Sequence, residues 1–480
     1  MLTLLQTGIY KECVKTISNI LNSHTRTKEA LIMQSATKEA VKIAVNLAKA
    51  LQNIDNEEKY LSQTNQANEF LIGTITLLQL AQQKKEITEA DANQTILELE
   101  QLQNKINIFL KKRKKILILS SCMGQGHMSA SKALKQGLEN IYGLDYNVEI
   151  IDFWEEMNAF FNKATKSVYE GSTKFTPKIY KFIFASTDTK WQMKLINQIN
   201  YPFVLAKVKK LFEEKNPDLV ISTYPIWDYM TADIWKKFKP NSKFLSVVTD
   251  SISIHNAWAI ADTDYHVVAN EDTALSLQKL GVKKEKIKIL GFPIRLEFIR
   301  KTDRKTFLSA QALDPDKFTI LYLPTAQKKK MSLQIMSDLK NNSQDCNIVV
   351  ITGRESKLQP TLEKIAQGKN IKIIGWTDNI AEFIKSADLV ITKAGGATVM
   401  ECIACEKPMI ITSIIPGQEE GNGELIKRYH LGIIPGETNM SIFESVNYIR
   451  QNYKQFQKNL GKLSNPKSAL AIAEFINSVL

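Results

Sequence analysis

The chain has 480 residues, 44% of them hydrophobic and 24% charged, with a formal net charge of +13 at pH 7. That length holds about two or three domains, and the composition is that of an ordinary globular protein, not of a disordered chain. No apolar run reaches bilayer length, since Phe70 to Ala81 is too short and contains Thr and Gln, and the opening residues lack the basic-then-apolar order of a signal peptide.

The positive charge suits an anionic partner, such as phosphate groups or an acidic lipid surface. No nucleic-acid-binding motif accompanies it, so nucleic acid is not an expected partner. Five scattered cysteines, an odd number, point to a reducing compartment. Cys402 and Cys405 form a lone C-x-x-C with no second pair and no nearby histidine, which reads as helix packing.

Residues 1–110 contain only Gly8 and Gly73, and the first proline is Pro177. Apolar residues recur at helical spacing, as in Leu31, Val41, Ala44, Val45, Ala48 and Leu51, or Phe70, Leu71, Leu77, Leu78 and Ala81. Thr88 with Asp91 resembles a capping box before Ile96, Leu99, Leu102 and Ile106. A bundle of about four helices is expected over 1–112. Its role stays open between scaffold, protein docking and homo-oligomerisation. The basic run Lys111 to Lys115 marks its end, either as a solvated linker or as a binding element.

From Ile116 the texture changes to apolar strands alternating with helical stretches. The first series comprises Ile116–Leu119, Val148–Ile151, Leu219–Ser222, Phe244–Val248, Tyr265–Val268 and Ile287–Leu290. The second comprises Thr319–Leu323, Ile348–Ile351, Ile371–Ile374, Leu389–Thr392 and Met409–Thr412. Such alternation predicts α/β domains with parallel sheets covered on both faces. The two series meet near Gly291-Phe292-Pro293 and predict two Rossmann-like domains with a cleft between them, over 113–298 and 299–464. A terminal amphipathic helix over 465–480 follows.

Three segments hold residues suited to chemistry. In SSCMGQGH, Gly124 and Gly126 follow the first strand, and His127 falls at the start of the next helix. An imidazole there has the reactivity to take a proton from a hydroxyl, or it hydrogen-bonds its own loop. Asp250 ends a strand at the same edge, with His255 and Trp258 after it, and so Asp250 and His255 are candidates to approach His127. The third segment, Ile391 to Asn422, reads strand, glycine turn, helix, strand, polar loop. Gly395 and Gly396 leave a helix N-terminus from about Thr398 whose free N–H groups favour an anion, with Glu401 one turn on. Residues 150–212 interleave aromatics with lysines, a pattern suited to a lipid headgroup interface or to a core-facing helical region with solvated lysines.

These motifs, taken together and in order, resemble glycosyltransferase family 28, and within it the monogalactosyldiacylglycerol synthases and processive diacylglycerol glucosyltransferases. SSCMGQGHMSASKAL, VVTDSISIHNAW, KIKILGFPIRLEF, ITKAGGATVMECIACEKPMII and PGQEEGN carry the likeness, which spans about residues 116 to 430 and leaves out the helical region. The resemblance implies a GT-B fold and inverting transfer of a hexose from UDP-glucose or UDP-galactose to diacylglycerol or another lipid hydroxyl. It implies Glu401 on the ribose hydroxyls and Lys393, Gly395, Gly396, Ala397 and Thr398 around the diphosphate. Gln418 and Glu419 then face the sugar, with Asn422 near them, and Gly375 and Trp376 border the uracil. Gly124, Gly126 and His127 lie on the acceptor side, with His127 the base or its partner; Asp250 as a catalytic candidate and His255 as an acceptor-side one rest on their place at the same strand edge. No metal and no cofactor are implied. The implied location is the cytoplasmic, inner face of a membrane, bound peripherally through an anionic surface. One departure stands out: residues 321–330, LYLPTAQKKK, lack the glycine such proteins carry near the diphosphate. It leaves room for an altered or non-catalytic UDP-sugar-binding or lipid-binding scaffold.

Overall fold

The computed structural model describes residues 8, 10–19, 31–52, 57–110, 113–122, 125–143, 145–152, 155, 205–324, 329–342, 345–353, 357–366, 371–417 and 419–480. Most of the aromatic–lysine segment, part of the 321–330 loop, Gly124 and Gln418 lie outside them. The chain divides into two compact units, one of residues 1–114 with 144–147 and one of 115–143 with 148–480.

The first unit is helical. Residues 10–19 are followed by helices Leu31–Gln52, Glu57–Gln83 and Glu89–Leu110. Ala36, Ala40, Ile43 and Leu47 at helical spacing bury against Leu71, Leu78, Leu99, Leu102 and Ile106. Thr88 Oγ1 accepts the Asp91 N–H at 3.1 Å, which caps the last helix where the sequence signals it.

The second unit contains two six-stranded sheets. The first has the order β2-β1-β3-β4-β5-β6, built from β1 (Lys114–Ser120), β2 (Tyr146–Asp152), β3 (Leu219–Ser222), β4 (Phe244–Val247), β5 (Tyr265–Val268) and β6 (Ile287–Ile289). The second has the order β12-β11-β10-β7-β8-β9, from β7 (Thr319–Tyr322), β8 (Asn347–Ile351), β9 (Ile371–Ile374), β10 (Leu389–Thr392), β11 (Met409–Ile411) and β12 (Gly432–Ile433). Pairing is parallel from β1–β3 through β5–β6 and throughout the second sheet. Alternate residues feed opposite layers: Ile320, Tyr322, Ile348, Val350, Leu389 and Ile391 pack on one side, Leu321, Val349, Val390, Met409 and Ile411 on the other. Both faces are therefore dry, which is why these strands read as continuous apolar runs.

Strand order sets where a ligand can sit. The chain runs from β1 out to β2 and returns beside β1 as β3, and it runs β7-β8-β9 and returns beside β7 as β10. Each reversal opens a crevice at the carboxyl ends of the strands. His127 follows β1 and Thr223 follows β3, while Lys393 to Gly396 follow β10. The terminal helix Ser468–Val479 lies against helix Gln125–Tyr142 so closely that a Cβ on Gly137 would stand 2.4 Å from the Ala469 carbonyl oxygen. Among the described residues, no helix is long and apolar enough to cross a membrane.

Candidate functional site

His127 lies in the first turn of helix Gln125–Tyr142. The ring is buried and edge-on to Tyr224, with centroids 4.9 Å apart. Nδ1 is 2.8 Å from the Thr223 carbonyl oxygen and 2.8 Å from Thr249 Oγ1. A carbonyl only accepts, so Nδ1 carries the proton and shares it between the two oxygens. The Thr249 hydroxyl is itself 3.5 Å from the Thr223 carbonyl, its matching acceptor. Nε2 is then the basic nitrogen. Burial pulls the imidazole pKa down to about 4, against the opposing pull of the carbonyl, so the ring is neutral near pH 7.

The neighbours expected from the sequence are arranged differently. Thr249 reaches His127, whereas Asp250 Oδ2 accepts the Trp258 indole N–H at 2.7 Å. His255 is buried, and its Nδ1 accepts the Ala257 N–H at 3.1 Å.

Across the gap, Gly395 caps helix Gly396–Ala404, which starts two residues before the expected Thr398. The two glycines admit close neighbours. A Cβ on Gly396 would lie 3.4 Å from the Thr249 carbonyl oxygen, and one on Gly126 3.8 Å from the Ala397 nitrogen. The N-termini of the two helices thus converge, and their unpaired N–H groups and dipoles favour an anion between them.

Glu401, one turn into that helix, is buried, with Oε1 3.1 Å from Arg295 Nη2 and 3.4 Å from Ser129 Oγ. Burial raises its carboxyl pKa, while the guanidinium opposes the rise. Lys393 Nζ pairs with buried Glu419 Oε1, and Glu419 Oε2 accepts the Ile415 N–H at 3.0 Å. Asn422 donates to the Ala394 carbonyl at 2.9 Å, while its buried Oδ1 has no hydrogen-bond partner among the described residues. Trp376 follows β9 and is 55% exposed, and its neighbour Gly375 abuts Gln359, whose Oε1 would lie 2.8 Å from an added Cβ. Lys329 and Lys330 of the glycine-free loop are exposed at the start of helix Lys329–Asn342.

Thr223, Thr249 and Arg295 are not candidates on the sequence alone. Thr249 stands one place before Asp250, and Arg295 lies inside the KIKILGFPIRLEF segment, but neither carries a spacing signal of its own. One set of potential metal ligands converges among the described residues, Cys122, Asp152 and Glu155, with ligand atoms within 4.8 Å of one another.

Two parallel sheets whose switch points face each other, one presenting a buried neutral histidine and the other a glycine-started helix, have the two-domain GT-B architecture. Residues 127–294 match the monogalactosyldiacylglycerol (MGDG) synthase family model, and residues 325–427 match the glycosyltransferase family 28 C-terminal domain. Monogalactosyldiacylglycerol synthase 2, chloroplastic, of Arabidopsis thaliana is 24% identical over 408 residues, 82% of this chain and 86% of that one. The processive diacylglycerol beta-glucosyltransferase of Staphylococcus carnosus is 28% identical over 332 residues, 68% of this chain and 83% of that one. The solved S. aureus MnaA-UDP co-structure overlays with a TM-score of 0.49 at 13% identity, over 76% of this chain and 98% of that one. Residues 127–294 and 325–427 thus match, in order along the chain, an MGDG synthase domain and a glycosyltransferase family 28 C-terminal domain.

Proposed function

We propose that this protein is an inverting glycosyltransferase that moves a hexose from UDP-glucose or UDP-galactose to the free hydroxyl of diacylglycerol, forming a glycosyldiacylglycerol. The observation that carries the reading is the facing pair: the neutral His127 ring, with Nδ1–H committed to Thr223 and Nε2 basic, opposite the N-terminus of helix Gly396–Ala404.

In this reading the diphosphate lies on the N–H groups of Gly396, Ala397 and Thr398, between Gly395 and Lys393. Glu401 takes the ribose hydroxyls, and Gly375 and Trp376 border the uracil. Gln418, Glu419 and Asn422 hold the sugar, and Asn422 has a buried acceptor, Oδ1, to offer. The lipid enters past Gly124, Gly126 and His255, with Asp250 fixing the loop they share through Trp258. Nε2 of His127 takes the proton of the lipid hydroxyl as its oxygen attacks the anomeric carbon. The bond from that carbon to the UDP oxygen breaks, and configuration inverts in this single displacement. Charge growing on the departing UDP is met by fixed N–H dipoles, so no metal is needed.

The acceptor is a lipid, and the net charge of +13 suits an anionic membrane surface. The protein binds that surface peripherally, on the cytoplasmic face, through the aromatic–lysine segment. The helical unit is the candidate for self-association or protein docking. Purified protein with anionic liposomes containing diacylglycerol is expected to release UDP from one of the two donors; release from neither refutes this pairing.

A further inference from the structure

One side chain, remote from the reacting groups, ties the two halves of the α/β unit together. Asp272, in the first turn of helix Glu271–Lys279, accepts from Arg428 Nη1 at 2.8 Å on one carboxylate oxygen and from the Tyr429 hydroxyl at 2.5 Å on the other. Arg428 and Tyr429 end helix Glu420–Arg428, whose start carries Gly421. Gly421 lies against the Ser251 carbonyl so closely that an added Cβ would stand 1.8 Å from the oxygen.

The loop being pressed is strained. Ile252, a β-branched residue, has φ of +53°, in the left-handed region that such side chains avoid. Strain of this kind persists only where neighbours enforce it. Helix Glu271–Lys279, which carries Asp272, does so: Ile252 N–H donates to Thr273 Oγ1 at 3.2 Å, and Ser276 Oγ donates to the Ile252 carbonyl at 2.5 Å. Three residues before Ile252, Thr249 places its hydroxyl on His127 Nδ1. Docking of the donor-half helix, the strained loop and the base are therefore joined in an unbroken series of contacts.

We propose that Asp272 is a positioning residue: by gripping Arg428 and Tyr429 it holds helix Glu420–Arg428 on the strained 249–252 loop, and so sets the Thr249 hydroxyl and the orientation of the His127 ring. The proposal rests on His127 being the base. A protein whose halves are apart would then hold a poorly oriented base, and its readiness to deprotonate a hydroxyl would follow closure.

The test uses full-length protein labelled with nitrogen-15 at histidine, with the His127 resonance assigned by its loss in His127→Gln. Asp272→Ala is expected to shift the His127 Nδ1–H resonance and to lower kcat about tenfold to a hundredfold, the scale set by small misplacements of a reacting group. KM for the donor should change less. Tyr429→Phe removes one of the two bonds and keeps the packing, so it is the variant to read if Asp272→Ala does not fold, and it should shift the resonance in the same direction. An unshifted resonance in both variants overturns the proposal, whether kcat falls or not. If wild-type protein turns over no UDP-sugar, the proposed reaction fails, while the resonance alone still decides the role of Asp272.

Discussion

His127 Nδ1 lies 2.8 Å from the Thr223 carbonyl oxygen, joining the first turn after β1 to the residue after β3 across the switch point of the first sheet. The bond fixes the tautomer and leaves Nε2 as the base. His127→Ala should therefore lower kcat by about 10²–10⁴, the usual worth of a positioned general base. Thr249→Val keeps the shape but loses one acceptor on Nδ1–H and should cost up to about tenfold. Turnover rates of the two variants against wild type check both figures.

Two buried histidines make stability depend on pH. Burial lowers both His127 and His266 from 6.5 to about 4. Between those values the unfolded chain binds protons that the folded chain does not, so stability is fully present above about pH 6.5 and is lost as pH falls towards 4. Melting temperature should fall across this window. The slope should be shallower in His266→Gln, since among the described residues the His266 ring bonds to Trp258 and Thr263. Activity should keep the deprotonated base down to near pH 4, so an acid limb in kcat centred near 6.5 would contradict the burial of His127.

Gly421 admits no side chain. With an added Cβ 1.8 Å from the Ser251 oxygen, either helix Glu420–Arg428 or the strained loop must move. Gly421→Ala is expected to lower stability by about 1–3 kcal/mol, as overpacking does, and to lower kcat more than Gly436→Ala, where nothing lies within 4 Å. Chemical denaturation and turnover of the two variants give the comparison.

The alternation of buried strands and helices is legible in the sequence because a parallel sheet covered on both faces needs most strand positions apolar, as in Leu389, Val390 and Ile391. The site is legible in part. Gly395-Gly396 and SSCMGQGH announce close backbone approach and a helix start, and the helices at 396 and 125 begin beside them. The partners of the functional side chains are not legible. Thr249 instead of Asp250 meets His127, and Arg295 meets Glu401, because such pairs depend on how two separate strand ends turn towards each other in space. Periodicity reports the face of an element, not the direction of its last residue.

Lys393 and Glu419 form a pair in which the carboxylate is buried and the lysine is partly exposed, with 22% of its side-chain surface accessible. Lys393→Ala leaves Glu419 with only the Ile415 N–H among the two bonds described for it and should cost about 1–3 kcal/mol. Lys393→Ala with Glu419→Gln should recover part of that loss, since the charge is gone. Denaturation midpoints of the single and double variants measure the recovery.

The central claim is hexose transfer to a lipid hydroxyl by His127. Wild-type protein and His127→Ala are incubated with a lipid extract and a mixture of UDP-sugars, and the lipids are analysed by mass spectrometry. The account predicts a diacylglycerol bearing added hexose with wild type and at most a trace with His127→Ala. No glycosylated lipid from wild type, or equal amounts from both proteins, would contradict it.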